Sequence, residues 1–308
     1  MTTDRPAPGG LLRLVDGPAV SRLGYGAMQL PGPGVWGPPQ DRAGALSVLR
    51  RAVELGVTHL DTSDFYGPHV ANDLIREALH PYPDDLVIAT KVGVSRDEWR
   101  GWNPAAAPAR LREQVEENLS RLGRARLDLV YLRVGGDGLL FPDETPFTES
   151  LGALVELRQR GLIRHLGLSG VTPAQLAQAR EMVPIVAVQN RFHLLDRGSA
   201  DVLAACEEYG IAFVPYFPLA AGMLRPGLDK SQIPPGMAPT EEQEQTLDAV
   251  AARHGATRAQ VALAWLLARS PVTLTIPGTA SVAHLEENVA AGDLRLTEDD
   301  VTRLDKLA

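Results

Sequence analysis

Eight short apolar runs punctuate this chain, separated by segments of helical periodicity. The runs are "RLGYGAM" (22–28), "VTHLDT" (57–62), "LVIATKV" (86–92), "LDLVYLR" (127–133), "IRHLGLS" (163–169), "IVAVQN" (185–190), "IAFVPY" (211–216) and "VTLTIPG" (272–278). They are too apolar to face water, as strands of a parallel sheet covered by helices are. Between them, "DRAGALSVLRRAVELG" has an Asp near its start and a Gly at its end, cap signals for both helix termini. "ARLREQVEENLSRLG", "FTESLGALVELRQRG", "TPAQLAQAREM", "SADVLAACEEYG" and "SVAHLEENVAAG" follow the same pattern. Eight strand–helix units is the number that closes a (β/α)8 TIM barrel. An open, doubly wound α/β sheet is the alternative.

With no Ser/Gly linker and no shift in composition, residues 1–308 read as a single domain. Three stretches depart from the alternation. "GLLRLVDGPAVS" (10–21) places "DG" between apolar runs and predicts an N-terminal β-hairpin. Residues 219–240 are rich in Pro and Gly and too long for a simple connection, a kind of loop that is usually functional or disordered. The tail "TEDDVTRLDKLA" reads as an extra C-terminal helix.

Composition narrows the function. A net charge of −8 argues against a general nucleic-acid binder, which would show a basic face. No apolar stretch approaches the ~20 residues of a membrane span. The opening "MTTDRPAPGGLLRLVDG" has Pro and Gly where a signal peptide needs an apolar run, so the expectation is a cytoplasmic protein. Cys206, the one cysteine, excludes an internal disulfide and reads as a packed, inert thiol.

In a (β/α) barrel, chemistry gathers at the carboxyl ends of the strands. There the second run offers Asp61, Asp64 and Tyr66, and the third Lys91. The fourth ends in Arg133, the fifth in Ser169, the sixth in Gln189 and Asn190, and the seventh in Tyr216. A lysine near a tyrosine stabilises phenolate and draws the phenol's pKa down from about 10. A carboxylate beside the lysine keeps it charged and oriented. Together Asp61, Tyr66 and Lys91 describe a general acid for a carbonyl that receives hydride. Arg133 cannot shed its charge, so its strand end must have a use for one.

"LDTSDFYG", "TKVG", "LDLVYL", "IRHLGLSG", "VQN", "PYFPLAAGML" and "IPGTASVAHLEEN", in this order from about Leu23 to the C-terminal helix, resemble the aldo-keto reductases. The resemblance implies an extended NADPH (NADP+) and a small-molecule carbonyl substrate reduced without metal. It makes Tyr66 the proton donor, with Lys91 and Asp61 as tuning partners. Ser169 and Gln189 would hold the nicotinamide carboxamide and Tyr216 would stack under the ring. Gly26, Pro218 and Leu219 would line the cofactor. Gly278, Thr279, Ser281, His284 and Asn288 would meet the adenosine 2′-phosphate, where free helix N–H groups suit an anion.

Four positions depart from the family pattern: Gly170 stands for an Asn, Phe217 for a Ser, and Gly278 and His284 for the usual Lys and Arg. The largest departure is Arg133, where most of the family has His. "SRLGYGAMQLPGPGVWGPP" and "DTSDFYGPHVAN" are similar to the bacterial pyridoxal reductase branch, which implies pyridoxal as substrate. Arg133 could donate to the carbonyl oxygen as charge develops, or pair with an anionic group of the substrate.

"GPGVWG" (32–37) matches the G-x-G-x-x-G dinucleotide pattern but is crowded by prolines and does not open a helix, so it reads as a loop carrying Trp36 toward the mouth. Trp99 and Trp102 are candidate pocket walls, and His69 follows Tyr66 closely enough to reach the pocket. His59 and His165 lie within strands and read as core or rim residues. No histidines show metal-ligand spacing, and no G-x-S-x-G elbow is present. Two other readings stay open: a non-catalytic, nicotinamide-binding regulatory subunit, and a lyase or aldolase forming a Schiff base on Lys91.

Overall fold

Side chains two apart on a strand share a face, and the barrel follows from that period. The computed structural model describes residues 6–224 and 238–308, so 225–237 of the Pro- and Gly-rich stretch lie outside the described residues. Two short antiparallel strands, β1 (Leu11–Arg13) and β2 (Ala19–Ser21), form the expected hairpin. A seven-stranded parallel sheet then runs in the order β11-β10-β9-β8-β5-β4-β3. Its strands are β3 (Tyr25–Gly26), β4 (His59–Asp61), β5 (Val87–Val92), β8 (Leu127–Arg133), β9 (Ile163–Ser169), β10 (Ile185–Gln189) and β11 (Ala212–Phe213).

Residues 272–277 close the gap between the sheet's edges. Phe213 N–H donates to Val272 O and Leu274 N–H to Phe213 O, each at 2.9 Å. On the other side Gly24 N–H reaches Thr275 O at 2.7 Å and Gly26 N–H reaches Pro277 O at 3.2 Å. The eighth run is therefore a bridging segment, not a regular strand. The first is shorter than its apolar run, because 27–29 turn into a 3-10 helix. The result is a TIM barrel.

Val87, Ala89, Leu129, Tyr131, Ala187, Leu274 and Ile276 pack together as the barrel's interior, and Leu14 and Val20 of the hairpin join them. The hairpin thus plugs the barrel where the strands begin. Residues of the opposite phase, such as Ile88, Val130, Leu132 and Leu168, pack into the larger cluster with the surrounding helices.

Those helices are α1 (Arg42–Glu54), α2 (Val70–Leu79), α3 (Pro108–Leu122), α4 (Phe147–Gln159), α5 (Pro173–Met182), α6 (Ala200–Tyr209), α7 (Glu241–His254), α8 (Arg258–Arg269), α9 (Val282–Ala290) and α10 (Glu298–Leu304). Asp41 caps α1, accepting from Gly44 N–H, and Gly123 and Gly210 end α3 and α6 in the left-handed region. Capping boxes built on Thr172 and Thr297 start α5 and the tail helix α10.

A second antiparallel pair, β6 (Val94–Arg96) and β7 (Trp102–Pro104), stands over the mouth after β5. The charge-rich "RDEWRGWNP" had concealed it. Among the described residues, no helix is long and apolar enough to cross a membrane.

Candidate active site at the carboxyl end of the barrel

The period that puts Ala89, Leu129 and Ala187 inside the barrel continues to Lys91, Arg133 and Gln189, and on β4 it selects Asp61. Lys91 and Asp61 are almost fully buried, with Lys91 Nζ donating to Asp61 Oδ1 at 2.6 Å and to Thr62 O at 3.0 Å. Gln189 Nε2 donates to the other carboxylate oxygen at 2.8 Å. Gln189 is therefore tied to the carboxylate as well as standing where a carboxamide contact was expected. Neither spacing nor periodicity signals that bond, which joins residues 128 positions apart.

Tyr66 follows β4 on a loop held from two sides. Its N–H donates to Ser63 O, and the next residue, Gly67, exchanges backbone bonds with Val35 and Gly37. The "GPGVWG" loop thus pins the Tyr66 loop instead of opening a helix. The Lys91 ammonium lies 5.0 Å from the Tyr66 ring centre. The expectation of a lowered phenol pKa needs correction. Burial raises it, and the opposing pull of Lys91 is smaller, so the net direction is upward. Desolvation outweighs the lysine because the phenol is enclosed. A raised pKa keeps Tyr66 protonated at neutral pH, as a proton donor must be.

Burial pulls Lys91 down, but Asp61 and Tyr66 together hold it above its ordinary value. Lys91 is thus a fixed ammonium, which disfavours its use as a Schiff-base nucleophile.

One wall of the mouth is aromatic. Trp102 on β7 meets Tyr66 edge-on at 6.4 Å and Phe65 at 5.6 Å. The Arg96 guanidinium lies 4.0 Å from the Trp102 ring centre and 5.2 Å from that of Trp36, joining the two tryptophans. The sequence reading missed Arg96 because it did not foresee the β6–β7 hairpin. Trp99 belongs elsewhere: it projects from the hairpin turn and is 83% exposed. His69 has its Nδ1 2.7 Å from Asp64 Oδ2 at the start of α2, and it lines one cavity with Phe65, Lys91 and Arg96. His59 is fully buried within the barrel and held near pKa 4 by desolvation, and the Cys206 thiol is buried and pushed up to about 12.

The other wall holds Arg133 and Tyr216. Arg133 Nη2 donates to Asp137 Oδ2 at 2.7 Å, and the Tyr216 hydroxyl donates to the same oxygen at 2.7 Å. Burial pushes Asp137 up, but the Arg133 charge and hydrogen bonds from Tyr216 and Arg133 carry it below the ordinary carboxylate value. Arg133 Nη1 lies over Gly170, where an added Cβ would sit 1.8 Å from it. The two departures at 133 and 170 are therefore one: the guanidinium occupies the space a side chain at 170 would fill.

Comparison with known proteins supplies the family. The sequence fits the model of the Aldo/keto reductase family over residues 22–308. The chain belongs to that family. It is 52% identical to pyridoxine 4-dehydrogenase of Escherichia coli (strain K12) over 291 residues, 94% of this chain and 96% of the relative. The aldo/keto reductase from Klebsiella pneumoniae, solved with NADP and acetate, superposes with a TM-score of 0.76 at 27% identity, covering 96% of this chain and 94% of that one. Glycerol dehydrogenase from Gluconobacter oxydans superposes at 0.83 with 25% identity, covering 97% and 95%. This aldo/keto reductase is an oxidoreductase.

The remaining candidate cofactor residues lie at strand ends and on the first turns of α9. Ser169 is buried at the end of β9, paired in register with Arg133 and Gln189. Pro218 is buried and Leu219 half-buried just beyond Tyr216. Gly26 and Gly278 approach so closely that a Cβ on either would meet the other strand's backbone, Ile276 O at 2.6 Å or Gly26 O at 2.7 Å. Barrel closure alone accounts for glycine there. Thr279 Oγ1 accepts from Ser281 N–H, and Ser281 caps α9 by accepting from His284 N–H. His284 is exposed and Asn288 buried on the same helix. The free amides at the α9 N-terminus and these hydroxyls suit an anionic group.

Proposed function

We propose that this aldo/keto reductase uses NADPH to reduce an aldehyde to an alcohol, with pyridoxal and pyridoxine as the favoured pair. The observation that carries the chemistry is Tyr66, enclosed at the mouth beside a lysine that Asp61 holds charged at 2.6 Å. The choice of pyridoxal rests on the 52% identity with pyridoxine 4-dehydrogenase, whose name describes the same exchange in the oxidative direction.

Bound nicotinamide supplies the hydride. Ser169 and the free oxygen of the Gln189 amide would orient it, the Tyr216 ring would support it, and the 278–288 segment would receive the adenosine phosphate. Tyr66 Oη donates its proton to the carbonyl oxygen. The phenolate left behind is stabilised by the Lys91 ammonium, so the lysine's pull matters after proton transfer rather than before it. The uncommitted N–H groups of Arg133 can donate to the same oxygen. Trp102, Phe65 and Trp36 wall an aromatic substrate and keep water from the reacting atoms.

The test is loss of NADPH absorbance over a panel of aldehydes that includes pyridoxal, run beside Tyr66→Phe. Turnover should fall by about 10²–10⁴-fold in the variant, the usual contribution of a positioned general acid. Wild type inactive on every carbonyl would leave the regulatory-subunit reading standing, and a Tyr66→Phe enzyme as fast as wild type would remove Tyr66 from the mechanism.

A further inference from the structure

Arg133 ends β8 with a permanent charge, and Asp137 four residues on answers it. The Asp137 carboxylate is held from several sides. Oδ2 accepts from Arg133 Nη2 and from the Tyr216 hydroxyl, both at 2.7 Å. Oδ1 accepts from the Leu139 and Leu140 amides at 3.2 and 3.3 Å. Arg133 in turn donates through Nη1 to Val134 O at 2.9 Å and toward Ser169 O at 3.5 Å. Side-chain exposure is 11% for the arginine and 17% for the aspartate, so water screens the pair poorly.

This geometry decides between the two uses of Arg133. A guanidinium grips a carboxylate or phosphate best with two parallel N–H groups, and here one side of that fork is already on Asp137. An incoming anion meets a charge that Asp137 already neutralises, and taking over the fork that Asp137 holds would break the ion pair and the Tyr216 hydrogen bond together. A neutral carbonyl has no such competitor, since a guanidinium has five N–H groups and Asp137, Val134 and Ser169 engage at most three. Among the described residues, two further cations are already paired: Lys91 with Asp61, and Arg191 with Asp196 at 2.8 Å. Arg96 lies between two tryptophan rings.

We propose that Asp137 sets the charge preference of this site. By occupying Arg133 it reserves the mouth for carbonyl substrates without net negative charge, leaving the arginine as a neutralised hydrogen-bond donor. Asp137 is a positioning residue, acting through Arg133 and Tyr216. The inference rests on the reductase reading above and deepens it to a substrate class.

The experiment compares kcat/KM for benzaldehyde and 4-carboxybenzaldehyde in wild type and Asp137→Asn, with NADPH saturating. The variant keeps the side chain's size and its oxygen acceptor for the loop amides. The carboxylated-to-neutral ratio should rise by at least ~10-fold, the size expected from one added hydrogen bond to a charged group. The rise should shrink with added salt and vanish in Asp137→Asn/Arg133→Gln. Tyr216→Phe, which loses the hydroxyl but keeps the ion pair, should lower both rates together at an unchanged ratio, and Asp137→Glu should return the ratio toward wild type.

An unmoved ratio in Asp137→Asn overturns the proposal. So does a rise that survives removal of Arg133, or one matched by Tyr216→Phe, which would trace the effect to loop opening. Wild type inactive on both aldehydes and on pyridoxal would instead refute the reductase reading itself.

Discussion

Removing the Lys91 ammonium tests whether the barrel mouth is stabilised by the same contact that serves chemistry. Lys91→Met leaves Asp61 charged, 4% exposed at its side chain, with only the Gln189 amide as a side-chain hydrogen-bond partner among the described residues. Breaking a buried ion pair from one side costs about 3–5 kcal/mol, because the remaining charge is neither solvated nor paired. With a urea m-value of about 3 kcal/mol/M, the unfolding midpoint should fall by about 1–1.7 M. Lys91→Met/Asp61→Leu removes the orphaned charge and fills the space with apolar atoms. It should recover most of the midpoint, since such replacements are often neutral or stabilising. Turnover should not recover, because the phenolate that Tyr66 leaves still lacks its counter-charge. Equilibrium urea unfolding and NADPH oxidation, measured on the same preparations, read the two effects separately. A single variant as stable as wild type, or a double variant less stable than the single, would refute the buried-charge reasoning. Turnover restored with the fold would refute the chemical role of Lys91.

Three other outcomes follow from the geometry. Burial holds the Tyr66 phenol above the ordinary tyrosine value of about 10, so the wild-type minus Tyr66→Phe tyrosinate difference should show no step below about pH 10; a step near neutrality would contradict the enclosure of the phenol. Gly170 has φ +73°, and a Cβ there would strike Arg133 Nη1 at 1.8 Å and Val134 O at 2.7 Å. Gly170→Asn alone should therefore destabilise by about 1–3 kcal/mol, and Arg133→His/Gly170→Asn should recover part of that in a double-mutant cycle by thermal melting; strict additivity would separate the two departures. Asp300 is pushed up by burial but carried down to about 2 by hydrogen bonds from His254 and Thr297 and by Arg253. A depressed acid stabilises the fold above its unfolded pKa of 3.8 and loses that contribution as pH falls toward 2. The deficit of Asp300→Asn should thus be full at pH 6 and fade as pH falls through that window, and a deficit independent of pH would show that the ion pairs are not its source.

Much of the site was legible because strands have a period of two and barrels put chemistry at one end. Those two facts select Asp61, Lys91, Arg133 and Gln189 from their strands without a structure, and the short run "DTSDFYG" adds Tyr66. Asp137 went unread because "VGGDG" has no periodicity and carries the composition of an ordinary turn. Arg96 was hidden for a related reason, since it lies on a hairpin whose strands are only three residues each. Trp99 and Trp102 looked alike in sequence, three residues apart. The hairpin turn sends one into solvent and the other against Tyr66, and only the turn's geometry separates them. The direction of the Tyr66 pKa was missed because sequence names the lysine but not the depth of burial.

The sequence by itself determined the alternation of eight apolar runs with helices, and with it the barrel and the set of polar groups at its mouth. Local spacing suffices there, since each unit's period and caps act within a few dozen residues. Only the tertiary structure decided which of those groups meet: Gln189 with Asp61, Tyr216 with Asp137 across 79 positions, and the guanidinium of Arg133 in the space Gly170 leaves open. Such pairings depend on closing the barrel, which brings distant strand ends within hydrogen-bond reach and out of water, where each charge must find its partner.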